Sequence, residues 1–456
     1  MKFRIALLLS AWALSWLPMV VHAEPAHEFM LKNGMKIVVK EDHRAPTVAH
    51  MIWYKAGAMD EKSGTTGVAH ALEHMMFKGT KTLQPGEFSQ RVAALGGREN
   101  AFTSKDYTAY FQQIEKSKLE KVMALEADRM ANLVLDKEEF EREIRVVMEE
   151  RRWRTEDQPI PLVYEALNAT AFAAHPYRHP IVGWMSDLQS MTAKDAKAWY
   201  ESWYAPNNAT MVVTGDVDPK QVYAMAQKYF GKIPRKVLPV TKPQYEPPQR
   251  GIKRVRVKAP AENPYVVLAF KVPGLRNVEK DDESYALDVL AAILDGYDNA
   301  RLNAKLVRTD KVANSVGAGY SNISRGPVLF LLDGTPAAGT TTEQLEKLLR
   351  AEVERVAAEG VSEEELKRVK TQLIAGQIYK RDSIFAQAME IGVMEMTDLS
   401  HTNIDRIIEK LNAVTAQQVQ AVAKKYFGDE ELTVATLVPL PLSEKKTPAP
   451  LKGLRH

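Results

Sequence analysis

At 456 residues the chain exceeds what one hydrophobic core usually holds, so two or three domains are expected. Apolar content of 45% and charged content of 26% are those of an ordinary globular protein, and the net charge of +3 is spread along the chain, which argues against a nucleic-acid or anionic-membrane partner. There is no Cys, so disulfides are excluded and stability must come from packing.

Lys2 and Arg4 precede an apolar run from Ile5 to Val21, and Val21-His22-Ala23 has small residues where a signal peptidase reads them. Residues 1–23 therefore read as a signal peptide cleaved after Ala23, which in a bacterium makes the mature chain periplasmic, with no membrane contact after cleavage. An uncleaved anchor helix is the alternative, although the run is slightly short for a span. No Cys follows the run, so lipidation there is excluded.

Strands are predicted over 28–57. Phe29-Met30-Leu31 and Met35 to Val39 flank the turn signal Asn33-Gly34, and Val48 to Ala56 reads as a central strand. A Gly-rich loop, 57–67, leads into a helix predicted over 67–78. The spacing sets His70 and His74 on one face of that helix, one turn apart, where two imidazoles can bind one metal ion. Glu73 lies close to the same face and can reach a water on the metal without being a ligand. This inverted zincin order, His-x-x-Glu-His, points to zinc-assisted hydrolysis. The competing reading is two surface histidines on an amphipathic helix.

After Gly96-Gly97, residues 98–104 and 107–114 read as a hairpin, and helices are predicted over 119–133 and 137–153. In the second of these, Glu143 and Glu150 are two turns apart on one face. A His pair needs a third protein ligand, and a carboxylate from a facing helix would supply it. Glu150 is one choice and Glu149 the rival, in a segment charged enough to be a solvated face. Residues 161–208 read as mostly helical, with His175 and His179 beside prolines in turns rather than as ligands. A strand follows over 209–215 and a helix over 219–230.

Five prolines between 234 and 250 mark a stiff linker. A second strand-rich start covers 251–272. The domains expected are thus 24–233 and 251–440, with a loose tail at 441–456. The two halves repeat. Leu119-Glu120-Lys121-Val122 matches Leu345-Glu346-Lys347-Leu348 at an offset of 226 residues, and Phe140 and Arg142 match Leu366 and Arg368. At the same offset His70 falls on Gly296, Glu73 on Asn299, His74 on Ala300 and Glu150 on Gly376, so the second half is expected to lack the metal site. The fold class is α+β: two homologous domains, each a mostly antiparallel sheet packed with helices, of the ferredoxin-like or a related kind.

HALEHMMFKGT at 70–80, GGRENAFTSKDYTAYF at 96–111 and EREIRVVMEE at 141–150 together resemble the pitrilysin/insulinase family of zinc peptidases, in particular its two-domain group that includes the mitochondrial processing peptidases. The resemblance implies Zn2+ held by His70, His74 and Glu150, with Glu73 as general base and Glu143 supporting the site through contacts to a ligand. It implies that Asn100, Ala101, Phe102 and Thr103 form the strand to which a peptide substrate adds. The family's second half carries an Arg and a Tyr that bind substrate. Arg308 matches the Arg, but Asn314 stands about where the Tyr is expected. A homodimer, or a heterodimer with a related chain supplying an Arg/Tyr pair, is therefore implied. The alternative function is a non-catalytic peptide-binding or assembly subunit. A bacterial S-ribosylhomocysteine lyase also has the His pair but needs an essential Cys, which is absent here.

Overall fold

The structure, a computed structural model, describes residues 25–442. The signal peptide expected over 1–23 lies outside the described residues, as does the chain beyond 442. In the first half, strands β1 (His27–Met30), β2 (Lys36–Glu41) and β3 (Thr47–Tyr54) precede helices α1 (Val68–Met75) and α2 (Glu87–Ala94). The hairpin β4 (Arg98–Thr103) and β5 (Thr108–Glu115) follows. Helices α3 (Leu119–Asn132), α4 (Lys137–Arg151), α5 (Pro159–Ala171), α6 (Met185–Ser190) and α7 (Ala193–Trp203) come next, then β6 (Ala209–Gly215) and α8 (Pro219–Tyr229).

The second half runs through β7 (Lys253–Pro260), β8 (Tyr265–Val272), α9 (Asp282–Asp295), β9 (Ala313–Tyr320) and β10 (Val328–Pro336). It continues with α10 (Thr342–Glu359), α11 (Glu363–Lys380), α12 (Ile384–Met396), α13 (Ile404–Ala413), α14 (Ala416–Tyr426) and β11 (Leu432–Leu440).

The duplication is plain in the topology. The first sheet has the order β1-β2-β6-β3-β5-β4 and the second β7-β11-β8-β10-β9. Apart from the extra edge strand β1, the two orders correspond strand for strand. In each, one pair is parallel, β2 with β6 and β7 with β11, and the others are antiparallel. The repeat offset is not constant, however. Helices α4 and α11 begin 226 residues apart, but β3 and β8 begin only 218 apart. Gly296, matched to His70 at the longer offset, in fact follows the end of α9. At the offset of the preceding strands His70 corresponds to Asp288, and Glu73 and His74 to Ala291 and Ala292, so the second half still lacks the constellation.

Alternation along a strand sends successive side chains to opposite faces, and here both faces are apolar. In β3, Val48, Ile52 and Tyr54 join the core under the first half's own helices, while Ala49, Met51 and Trp53 face the other way. That second face is covered by α12, a helix of the second half, through Ala388, Ile391 and Met396. At Gly392 the backbone comes so close that a Cβ would lie 2.0 Å from the Trp53 ring. The reciprocal contact is made by α5. Its Val163 and Leu167 pack on Val267, Ala269, Ala435 and Leu437 of the second sheet. The Pro-rich segment 234–250 holds no helix or strand, and it is fastened at both sides. The Glu246 carboxylate accepts from the amides of Ala173, Ala174 and His175 at 2.6–3.0 Å, and Gln249 Nε2 donates to the Leu432 carbonyl at 2.6 Å.

A part-buried ion pair closes the α12 contact: Lys36 Nζ of β2 lies 2.6 Å from Glu395 Oε2, whose other oxygen accepts from His401. Burial works to raise the Glu395 carboxyl, but His401 and Lys36 outweigh it and hold it at about 2. A folded-state pKa below the unfolded value of 4.5 stabilises the protein above that value. The contribution, about 1–2 kcal/mol once solvent screening is allowed for, is lost as pH falls from about 4.5 to about 2. Glu395→Gln should therefore flatten the fall of unfolding free energy across that window, as measured by denaturant titration at each pH.

Candidate metal and peptide site

The site begins with how α1 is started. Gly67 precedes the helix with φ of 87°, a left-handed conformation open to glycine and strained for other residues. A Cβ there would lie 2.4 Å from the Val182 carbonyl oxygen and 2.8 Å from Gly183 Cα, so the chain entering α1 is pressed against 182–183. The first helical amides are satisfied from outside: Glu61 accepts from Gly67 N and Ala69 N, both at 2.8 Å. Burial pushes the Glu61 carboxyl up to about 8, with those two amides working against it.

One turn into α1, the His70 and His74 rings lie 4.7 Å apart between centroids. Helix α4 faces them, started by the Asp136 carboxylate accepting from Glu138 N and Glu139 N. Of the two rival carboxylates, α4 turns Glu150 inward and leaves Glu149 exposed beside Arg152. Glu150 Oε2 is 3.3 Å from His74 Nε2 and 3.7 Å from His70 Nε2. The three candidate ligand atoms all lie within 4.8 Å of one another. Glu150 Oε2 is buried and faces both imidazole nitrogens, the position of an atom placed to share a cation with them. Two imidazole nitrogens and a carboxylate oxygen are also a catalytic zinc donor set. The residues fit the metal.

Glu143, two turns earlier on α4, lies 2.8 Å from His74 Nδ1 through Oε1, and its Oε2 is 2.6 Å from Lys78 Nζ. An ionised carboxylate only accepts, so Nδ1 is the donor and Nε2 is the atom directed at Glu150. Burial opposes charge on His74, but Glu143 and Glu150 outweigh it and hold the ring up at about 9. Burial likewise opposes charge on Glu150, yet His74, His70 and Arg154 hold its carboxyl down at about 2.

Glu73 sits beside this cluster. Thr103 Oγ1, at the end of β4, donates to its Oε2 at 2.5 Å. Burial raises the Glu73 carboxyl, against the pull of Thr103 and His74. These groups open on a cavity of about 420 Å³ whose walls include Asn100, Ala101, Phe102 and Thr103. Among the described residues strand β4 is the last in its sheet and pairs only with β5, so its outer backbone edge has no strand beside it there. Pro161, Pro180, Ile181 and Val182 give the opposite wall an apolar character, and Arg154 and Glu165 supply charge.

Arg308 is not brought to this cavity. It is exposed at the end of the helical segment Asn303–Thr309, beside β9, and every residue of the cavity wall comes from the first half. Asn314 lies on β9, exposed, with its Nδ2 on the Pro336 carbonyl at 3.3 Å. A resemblance can align Arg308 with a role, but it carries no information about which surface the residue faces. His175 and His179 hold turns: their Nδ1 atoms accept from Tyr177 N and Trp184 Nε1. Sequence reasoning missed Glu61 as the external cap of α1. It also missed Arg151, which ties the end of α4 to Glu165 on α5 and to the Gly183 carbonyl. Both are charged residues in charge-rich stretches, and only burial distinguishes them.

Two copies of one α+β unit, with a His-x-x-Glu-His helix under a free strand edge in the first copy alone, define the two-domain peptidase class of fold. A family model described as Insulinase (Peptidase family M16) matches residues 36–183, and one described as Peptidase M16 inactive domain matches residues 190–373. The chain belongs to this pitrilysin/insulinase family. It is 32% identical over 436 residues to the zinc protease PqqE of Helicobacter pylori, covering 92% of this chain and 95% of that one. It is 27% identical to the uncharacterized zinc protease YmxG of Bacillus subtilis, covering 88% and 96%. Among solved structures, that of a protease from Helicobacter pylori superimposes with a TM-score of 0.86 at 30% identity, covering 91% of this chain and all of that one.

The placement of α1 rests on Gly67. Gly67→Ala should cost at least about 1–2 kcal/mol from the left-handed backbone alone, and more from the contact with Val182. Denaturant unfolding of the two proteins side by side measures it.

Proposed function

We propose that the chain is a zinc-dependent endopeptidase that hydrolyses short or unfolded peptides. In this reading it is exported by its leader to the periplasm and works as a dimer whose second member closes over the substrate. The observation that carries the reading is the convergence of His70, His74 and Glu150 beside Glu73 at the foot of an unpaired strand edge. The names of the relatives, zinc proteases, support the same reading.

Zinc held by His70, His74 and Glu150 would supply a Lewis acid for the scissile carbonyl and make water more acidic. The chain's own groups do the rest. The outer edge of β4 takes the peptide as an added strand through backbone hydrogen bonds, which leaves side-chain preference broad. Glu73, its pKa raised by burial, accepts a proton from the attacking water and returns it to the leaving amine. Thr103 holds the Glu73 carboxylate in one orientation. Glu143 fixes the His74 ring through Nδ1. A partner chain supplies the Arg and Tyr that Arg308 and Asn314 of the same chain do not bring to the cavity.

Glu73→Gln should keep zinc at the wild-type stoichiometry and lose about 10²–10⁴-fold in turnover of an unstructured peptide. Zinc analysis together with a peptide-cleavage assay tests this. Full activity of the variant sinks the assigned base, and a wild-type protein that binds zinc but cleaves no peptide favours the non-catalytic subunit. Glu143→Gln should weaken zinc affinity about 10–100-fold while leaving all three ligands in place, as read by competition with a chromogenic chelator.

A further inference from the structure

The turn joining β4 to β5, residues 104–107, and the loop joining β9 to β10, residues 321–327, occupy equivalent positions in the two halves, and they meet. Arg325 makes the contact. Its guanidinium donates to both oxygens of Asp60, at 2.7 and 3.0 Å, a bidentate pair. It also donates to the Asp106 carbonyl at 2.9 Å, and the Arg325 amide donates to Asp106 Oδ2 at 3.0 Å. The other Asp106 oxygen accepts from the Tyr177 hydroxyl, which in turn accepts from Gly326 N at 2.8 Å. Asp60 and Asp106 are buried. Arg276, also of the second half, donates to the Ser324 and Gly326 carbonyls and so stiffens the loop.

Asp106 of the turn, held in this way, is three residues from Thr103. On its other side Ala58 N and Met59 N donate to the Ser104 and Lys105 carbonyls at 3.1 and 2.8 Å, so Asp60 and the turn form one unit. The path from Arg325 to Glu73 is therefore continuous: Arg325, the 104–107 turn, Thr103 Oγ1, Glu73 Oε2. No wall of the cavity comes from the second half, yet that half grips the hairpin that forms one wall.

We propose that Arg325 is a positioning residue, through which the second half sets the β4–β5 hairpin, and with it Thr103 and Glu73, in register with the metal ligands. The kinetic part rests on the peptidase reading given above, whereas the mechanical part does not. A planar bidentate fork is needed, so Lys is not an equivalent.

The test uses the full-length chain. In Arg325→Gln, hydrogen exchange of amides in 98–107 should quicken about ten-fold while amides of α4 keep their rates. Zinc content should be unchanged, and kcat should fall about 10–100-fold with KM within about two-fold. In a Thr103→Val background the same change should cost less than about two-fold further, because both act on one path. Arg325→Lys should fail to rescue. Asp60→Asn, which keeps shape and removes the charge, should reproduce the exchange result and decides the matter if Arg325→Gln does not fold. Unchanged exchange in 98–107 overturns the proposal, and so do fully additive losses with Thr103→Val. If the wild-type protein cleaves no peptide, the peptidase reading fails while the exchange experiment still decides the role of Arg325.

Discussion

Each of the two sheets is apolar on both faces, and each half has helices enough for only one of them. The second face of the first sheet is covered by α12, and that of the second sheet by α5. Both helices occupy the same position in their own repeat, so the exchange is reciprocal. Apolar strand faces left in water would cost about 25 cal/mol per Å². The exchange removes that exposure from both halves at once. It also means that neither half is a complete core by itself, although the sequence divides cleanly at the Pro-rich segment. The short approach at Gly392 and the part-buried Lys36–Glu395 pair keep α12 in one seat.

That constraint has a chemical consequence. The candidate metal ligands all belong to the first half, but α5, which covers the second sheet, also lends Pro161 and Glu165 to the cavity wall. Arg151, one residue beyond Glu150, is anchored to the same Glu165. The end of α4 is thereby tied to a helix seated on the opposite half. A carboxylate ligand must hold its place to a few tenths of an ångström, and this one is braced by a contact that the first half could not make alone. The crowding of Glu143, Glu150 and Glu73 around two imidazoles is tolerable for the same reason. Lys78, Arg154 and Thr103 each answer one carboxylate in a site where charges are poorly screened.

Much of this was legible in the sequence because it is local. The His70/His74 spacing and the Asn33-Gly34 turn are set by residues within a turn of one another, and the elements predicted for the first half lie close to where periodicity puts them. The inward choice of Glu150 over Glu149 needed the direction of α4, which spacing leaves open. The match of His70 to Gly296 failed because it assumed that one linear offset carries through loops of unequal length. The first half has α2 between its metal helix and β4, whereas the second has the segment Asn303–Thr309 between α9 and β9. The helix exchange was beyond reach, because α5 and α12 read as ordinary apolar helices and nothing in their pattern says whose sheet they cover.

Duplication explains why the second half can be inert and still matter. In α9 the positions of Glu73 and His74 hold Ala291 and Ala292, and that helix is packed as plain core, with Leu287, Leu290 and Leu294 buried. Without the His-x-x-Glu-His constellation, the copy keeps what the architecture needs from it: a helix for the first sheet and a loop, 321–327, against the β4–β5 hairpin. The helix exchange is reciprocal and the loop contact joins equivalent elements of the two repeats, as expected if an ancestral pair of identical units met across a two-fold axis. Selection on the chemistry then acts on one copy directly and on the other only through those two contacts. The His pair can vanish from the second half without loss, whereas Arg325, with no ligand to hold, remains tied to the site by geometry alone.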